Sequence, residues 1–556
     1  MVGRRSFIGM VAMACSVAGV AFGAPPPAQP PGTREAAARI DRPTLEAPIR
    51  VLADDLLEGR APTHRGDELA EVYLASMLEF LGLRPGAFGG AWQQRFAIVG
   101  VESHVPETWT FEAGAKRLAL QHSDEFIAVS GWQRPEAAIH AAELVFVGYG
   151  IQAPEYGWDD YKGADLKGKV LVMMNNDPDW DASLFEGARR TYYGRWTYKY
   201  ESAARQGAVA AIIIHTTPSA AYPWAVVQNS WGGEQFDLPH ENDGSLAVRA
   251  WTTEDASRRL VALGGFDLDA LVKQARSKTF TPVPLGVRTS LTITNSISRG
   301  QTGNVLGILP GSDPALRDQV VVFSAHHDHL GIGKPDARGD TIYNGAVDNA
   351  SGVAQVLAIA RAFAALPQPP RRSIMFAFTT GEESNLLGSY YLATHPPMPI
   401  ERMVADVNFD AGNIFGRTRD VAIIGKGKST LDEALVAAAA LQGRVATDEP
   451  FPEHGSYYRA DQFSFARAGV PGLYFRSGVD YIGRPPGWGR EAQNAWLRAH
   501  YHQPSDELTP DWNFDGLIED AQLGFYVGLA VASADQPPAW VPGSEFAHLR
   551  ASKGTK

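Results

Sequence analysis

The chain has 556 residues, 45% of them hydrophobic and 20% charged, which is enough apolar material for more than one core. Its formal net charge of −12 argues against nucleic-acid phosphates or anionic membrane surfaces as partners. The only cysteine is Cys15, so everything downstream lacks thiols and holds neither disulfides nor Cys-ligated metal.

Arg4 and Arg5 precede an apolar run over 7–24, and a Pro-rich segment at 25–34 follows. Basic residues, a short apolar stretch and a small-residue end make 1–24 a signal peptide, and Arg-Arg-Ser-Phe-Ile resembles a twin-arginine signal. The reading is of an exported protein, periplasmic or extracellular. No later segment is long and apolar enough to span a bilayer. Residues 35–85 show helical spacing, as in Asp67 to Leu78, where apolar residues recur every three or four positions. From about 90 to 290 the texture turns to short β-like runs (144–147, 170–173, 210–215) between Gly, Pro and Asp turns, with a helical stretch at 200–206. Tryptophans cluster between Trp132 and Trp251, as core or as a binding wall.

From about 300 to 535 strand and helix alternate. Strands are predicted at 320–324, 373–378, 404–409, 421–424 and 472–475, and helices at 353–365, 386–394, 431–441 and 517–532. Alternation of this kind predicts an α/β fold, a mostly parallel or mixed sheet with helices on both faces. Ligands in such sheets bind beyond the carboxyl ends of strands. There the chain places Ala325-His326-His327-Asp328-His329, then Val347-Asp348-Asn349-Ala350-Ser351-Gly352, Gly381-Glu382-Glu383, Asn408-Phe409-Asp410 and finally Tyr501-His502.

Each piece has a plain structural reading: Asp348 as a helix N-cap, Glu382-Glu383 as an acidic first turn, His326 as a core imidazole. Together they do not, because that many acids at adjacent strand ends repel one another unless a cation compensates. Two zinc ions with N/O ligands do so without cysteine. Asp348 would bridge two metals roughly 3.5–4 Å apart. His326 and Asp410 would complete one, Glu383 and His502 the other. Asp328 is placed to orient His326, Glu382 is the candidate base, and Tyr501 a donor to the developing oxyanion. His327 and His329 add imidazoles beside His326, and a ligand register using His329 remains open.

The same residues carry a resemblance to the co-catalytic di-zinc exopeptidases, a family that includes bacterial secreted aminopeptidases, glutamate carboxypeptidase, the transferrin receptor and glutaminyl cyclases. The resemblance implies the roles just argued, a peptide substrate and two zinc ions. It implies a phosphorylase/hydrolase-like mixed-sheet peptidase domain interrupted by a β-rich protease-associated insert, whose opening resembles Phe146-Val147-Gly148-Tyr149-Gly150 through Leu166-Lys167-Gly168-Lys169-Val170. The expected division is 1–24 signal peptide, 25–34 linker, 35–125 first part of the peptidase domain, 126–290 insert, 291–540 catalytic part and 541–556 tail. Where relatives often carry Ser-Asp-His, this chain has Ala460-Asp461-Gln462. Within the family, an aminopeptidase is the favoured expectation; a carboxypeptidase, a glutaminyl cyclase-like acyltransferase and a receptor-like binding protein are the alternatives. A carboxypeptidase would need basic residues such as Arg459 and Arg476 to hold a substrate carboxylate. Oligomeric state is not legible. Gly-x-Ser-x-Gly and His-Glu-x-x-His are both absent, and the P-loop-like Gly425 to Ser429 has Ala422 where the first glycine belongs.

Overall fold

The computed structural model describes residues 29–241 and 244–551; the expected signal peptide, the start of the linker and the end of the tail lie outside them. The second half builds the predicted sheet. Strand Val320–His326 lies between Ser373–Thr379 and Met403–Asn408, parallel to both. Gly472–Ser477 continues the parallel run beside Met403–Asn408. Asp420–Ile424 then pairs antiparallel with Gly472–Ser477 and parallel with Val445–Asp448. The sheet is therefore mixed.

Central strands bury both faces, as their near-continuous apolar runs require. On one face Val321, Phe323, Ile374 and Phe376 pack against helices Arg42–Leu52, Ser351–Ala364 and Phe514–Ser533. On the other, Val320, Val322, Met375 and Ala377 meet helices Leu387–Thr394 and Gln462–Arg467 through Leu392 and Phe465. The α/β class with helices on both faces is what the sequence predicts.

A second body has its own cores. Strands Val170–Met174, Ala210–His215 and Val248–Thr253 lie parallel, flanked by Phe126–Ser130 and Glu136–Phe146. Their side chains enclose Trp109, Phe111, Phe146 and Ile212 on one side and Tyr161, Met173, Ile213 and Trp251 on the other. Trp109, Phe111 and Leu120, grouped with the peptidase part in the expected division, belong to this core, as do Leu291 and Ile293. The expected boundary at 290/291 falls inside one strand of 27 residues, Val283–Leu309. Its first part pairs with Glu136–Phe146 and its last with Ser373–Thr379, so one strand spans both bodies. Alternating burial along 285–292 shows an ordinary half-buried strand, and no turn residue marks a boundary there. Helix Trp488–Ala499, which the sequence reading does not anticipate, leads into Tyr501-His502.

Candidate metal centre

Val320–His326 ends on His326, fully buried, and its Nδ1–H donates to the carbonyl of Asp328 at 3.2 Å. That tautomer leaves the Nε2 lone pair free, 3.2 Å from Asp348 Oδ1. The other oxygen, Asp348 Oδ2, lies 3.5 Å from His502 Nε2, and Glu383 Oε2 lies 3.0 Å from the same nitrogen. His326 and His502 Nε2 are both buried without a hydrogen-bond partner. Ligating atoms of His326, Asp348 and Asp410 fall within 4.8 Å of one another, as do those of His329, Asp348 and Glu383. The two groups share Asp348.

His329 Nδ1 lies 2.6 Å from Glu383 Oε1, so this imidazole fixes the carboxylate whose second oxygen faces His502. His327 points elsewhere: its Nε2 pairs with buried Asp67 at 3.0 Å. Asp328 does more than orient His326. Its carboxylate oxygens accept the amide N–H groups of Glu382 and Glu383 at 3.2 and 3.4 Å, and so aim that dipeptide. Asp506 accepts the amides of Val347 and Asp348 at 2.9 and 3.0 Å. Asn349 ties the Asp348 turn to the Asp410 turn by donating to Phe409 O and accepting from Ala411 N–H. It also accepts Gly352 N–H, and a Cβ on Gly352 would come within 2.2 Å of Asn349 Oδ1. Gly352→Ala should thus misplace both turns at once, seen as a lower melting temperature together with weaker metal retention.

Arg60, fully buried and in the left-handed region, donates to the carbonyls of His327, Asn344 and Gly345 at 2.7, 2.6 and 3.0 Å. It fastens the N-terminal segment to both ligand loops. Nothing local in the sequence assigns that role to Arg60. Asp506 did carry a signal, since it stands in the same short string as Tyr501-His502.

The second body reaches the centre through helix Trp224–Ser230. Ser230 Oγ lies 2.7 Å from His502 Nδ1, and Asn229 Nδ2 donates to His502 O at 2.9 Å. These bonds hold His502 in a left-handed conformation (φ 55°) that a β-carbon disfavours. A Ser230→Ala variant should keep the fold but weaken metal retention by about 10- to 100-fold, the usual effect of removing a bond that orients a ligand. A competitive zinc-chelator titration measures it.

Charge is poorly balanced in the protein alone. Burial lifts Glu382 well above the usual carboxylate range, with Asp410 and Glu383 reinforcing and His326 opposing. Burial and Asp348 together raise Asp410 to about 6. Burial works against Asp348 as well, yet its contacts with His326 and His502 keep that carboxyl well below its usual range. Unpartnered imidazole nitrogens facing crowded carboxylates suit divalent cations of borderline softness, and zinc fits this donor set. Beside the cluster, Tyr501 OH accepts from Arg459 Nη2 at 2.9 Å, which leaves the phenolic proton free to point outward. Asp348, Glu382, Glu383, Asp410, Arg459, Tyr501 and His502 border a cavity of about 300 Å³ between the two bodies, with Tyr222 and Trp231 on one wall and Phe451 and Trp496 on others.

The mixed α/β sheet carries two His/carboxylate groups able to hold metal ions. Residues 304–525 match the model described as Peptidase family M28. Leupeptin-inactivating enzyme 1 of Streptomyces exfoliatus is 29% identical over 225 residues, 39% of this chain and 46% of the relative. Aminopeptidase NAALADL1 of Mus musculus is 32% identical over 133 residues, 23% of this chain and 16% of the relative. The chain thus spans less than half the length of these curated relatives. An aminopeptidase structure from Aneurinibacillus sp. strain AM-1 superposes with a TM-score of 0.51 at 18% identity, over 90% of this chain and 96% of that one, and shows the same fold.

Proposed function

We propose that this chain is an exported di-zinc exopeptidase that removes N-terminal residues from peptides. The observation that carries the reading is the pair of ligand groups sharing Asp348, set beside Glu382 at the cavity. His326 and Asp410 would hold one ion, Glu383 and His502 the other, with His329 orienting Glu383. Bound there, the ions would polarise the scissile carbonyl and lower the pKa of water. Glu382 takes the proton of the attacking water and hands it to the leaving amine nitrogen. Tyr501, oriented by Arg459, donates its hydroxyl proton to the oxygen where charge develops. The name of one relative, an aminopeptidase, supports action at the amino end. Export rests on the Arg4-Arg5 segment and its apolar run, and the body between the two parts of the peptidase domain is read as a protease-associated insert.

A panel of aminoacyl chromogenic substrates and N-acetylated peptides tests this. Free-amine substrates should be cleaved, acetylated ones spared, and activity lost to a chelator and restored by zinc. About two zinc ions per chain are expected. Cleavage from the carboxyl end, or N-terminal cyclisation with one ion per chain, would replace this reading with one of the alternatives.

A further inference from the structure

A second cavity, of about 250 Å³, lies between helix Thr217–Ala220 of the second body and helix Trp488–Ala499. Tyr222, His454, Asn494 and Leu497 border both this cavity and the one beside the metal centre, so these four residues stand between the two. The partition is lightly held. Asn494 and Leu497 sit on a helix of 12 residues in which only Gly489 is buried, and Gly487 before it is left-handed (φ 86°) with open space where a β-carbon would lie.

Two polar groups of the partition are unused. Neither the Asn494 amide nor the His454 imidazole has a hydrogen-bond partner among the described residues. His454 is stacked on Phe451 with ring centres 5.0 Å apart. Burial together with Arg459 and Arg190 drives its pKa down to about 3, so the ring is neutral at ordinary pH. A neutral imidazole carries one donor and one acceptor, and a primary amide carries both as well, so each complements a peptide unit. Beyond the partition the walls are mixed. Pro218, Pro223 and Leu497 are apolar, whereas Thr217 and Arg498 are polar and exposed. A lining of apolar surface with few polar groups holds a ligand without demanding one particular side chain.

We infer that the second cavity continues the substrate path, with Asn494 and His454 bonding the main chain of a peptide beyond its scissile bond, so that the preferred substrates are oligopeptides long enough to reach it. The inference rests on the peptidase reading and narrows its substrate class. Rotation of the Asn494 and Leu497 side chains joins the two cavities, a motion that needs no change of fold.

Steady-state kinetics of the zinc-loaded enzyme on a series of C-terminal amides, from Leu-Ala-amide to leucine followed by seven alanines, tests this. Along the series kcat/KM should climb by roughly 10- to 100-fold and then level, mainly through KM, the range of one or two hydrogen bonds. Thr217→Trp and Arg498→Trp add bulk on two walls of the second cavity, and in each the ratio of longest to shortest substrate should fall toward one. Asn494→Ala removes one main-chain partner without filling the cavity and should lower that ratio by about 2- to 10-fold. A flat series in the wild type, a rise that survives both tryptophans, or a ratio unchanged in Asn494→Ala would each overturn the inference and leave the peptidase reading standing. If no peptide of any length is cleaved, the peptidase reading falls. Calorimetric titration with the shortest and longest amides then decides the cavity alone. Tighter binding of the longest in the wild type, lost in the tryptophan variants, sustains the inference, and equal affinities overturn it. Circular dichroism checks the fold of each variant, and should one tryptophan variant fail to fold, the other stands in for it.

Discussion

Glu382→Gln should lower kcat by about 10²- to 10⁴-fold while leaving zinc content unchanged. The substitution keeps the shape of the side chain and its backbone anchor, the bond from the Glu382 amide to Asp328, and removes only the ability to accept a proton. Glu382 stands beside the cluster with its carboxylate 4.0 Å from His326 Nε2, and neither ligand group includes it. Metal analysis of the purified variant paired with its kcat gives the answer. Turnover near that of the wild type would remove Glu382 from proton transfer.

Asp348→Ala should empty both metal positions. Its two oxygens face different imidazoles, His326 at 3.2 Å and His502 at 3.5 Å, so one truncation takes a ligand from each group. Asp410→Ala should strip only the His326 group, because Asp410 belongs to that one alone. Thermal melting reports the difference. A ligand that binds only the folded state raises the melting temperature, and that zinc dependence should vanish in Asp348→Ala and persist in part in Asp410→Ala. Full zinc content in Asp348→Ala would rule out a shared ligand.

Much of the peptidase half could be read from the chain. Apolar runs of strand length separated by amphipathic stretches predicted the sheet, and the acids and imidazoles just after those runs predicted its reactive edge. His326, Asp348, Glu383, Asp410 and His502 do meet, through turns on five successive segments. The reading was weaker where structure depends on partners distant in sequence. Strand Val283–Leu309 runs through the expected boundary at 290/291 because hydrogen-bonding neighbours on both sides sustain it, and no local signal marks the change of partner. Asp328 was expected to orient an imidazole, and its carboxylate is also committed to two backbone amides. His329, left open as a ligand, is bonded to Glu383.

Local periodicity and residue chemistry therefore determined the fold class and the set of groups able to bind metal, since both depend on side-chain type and short-range spacing. Tertiary structure alone decided how those groups are held: Arg60 pinning two ligand loops, and Ser230 and Asn229 reaching His502 from another body. Those contacts join residues hundreds of positions apart, and a hydrogen bond across such a distance leaves no pattern along the chain. It exists only once the two surfaces have closed around the cavity.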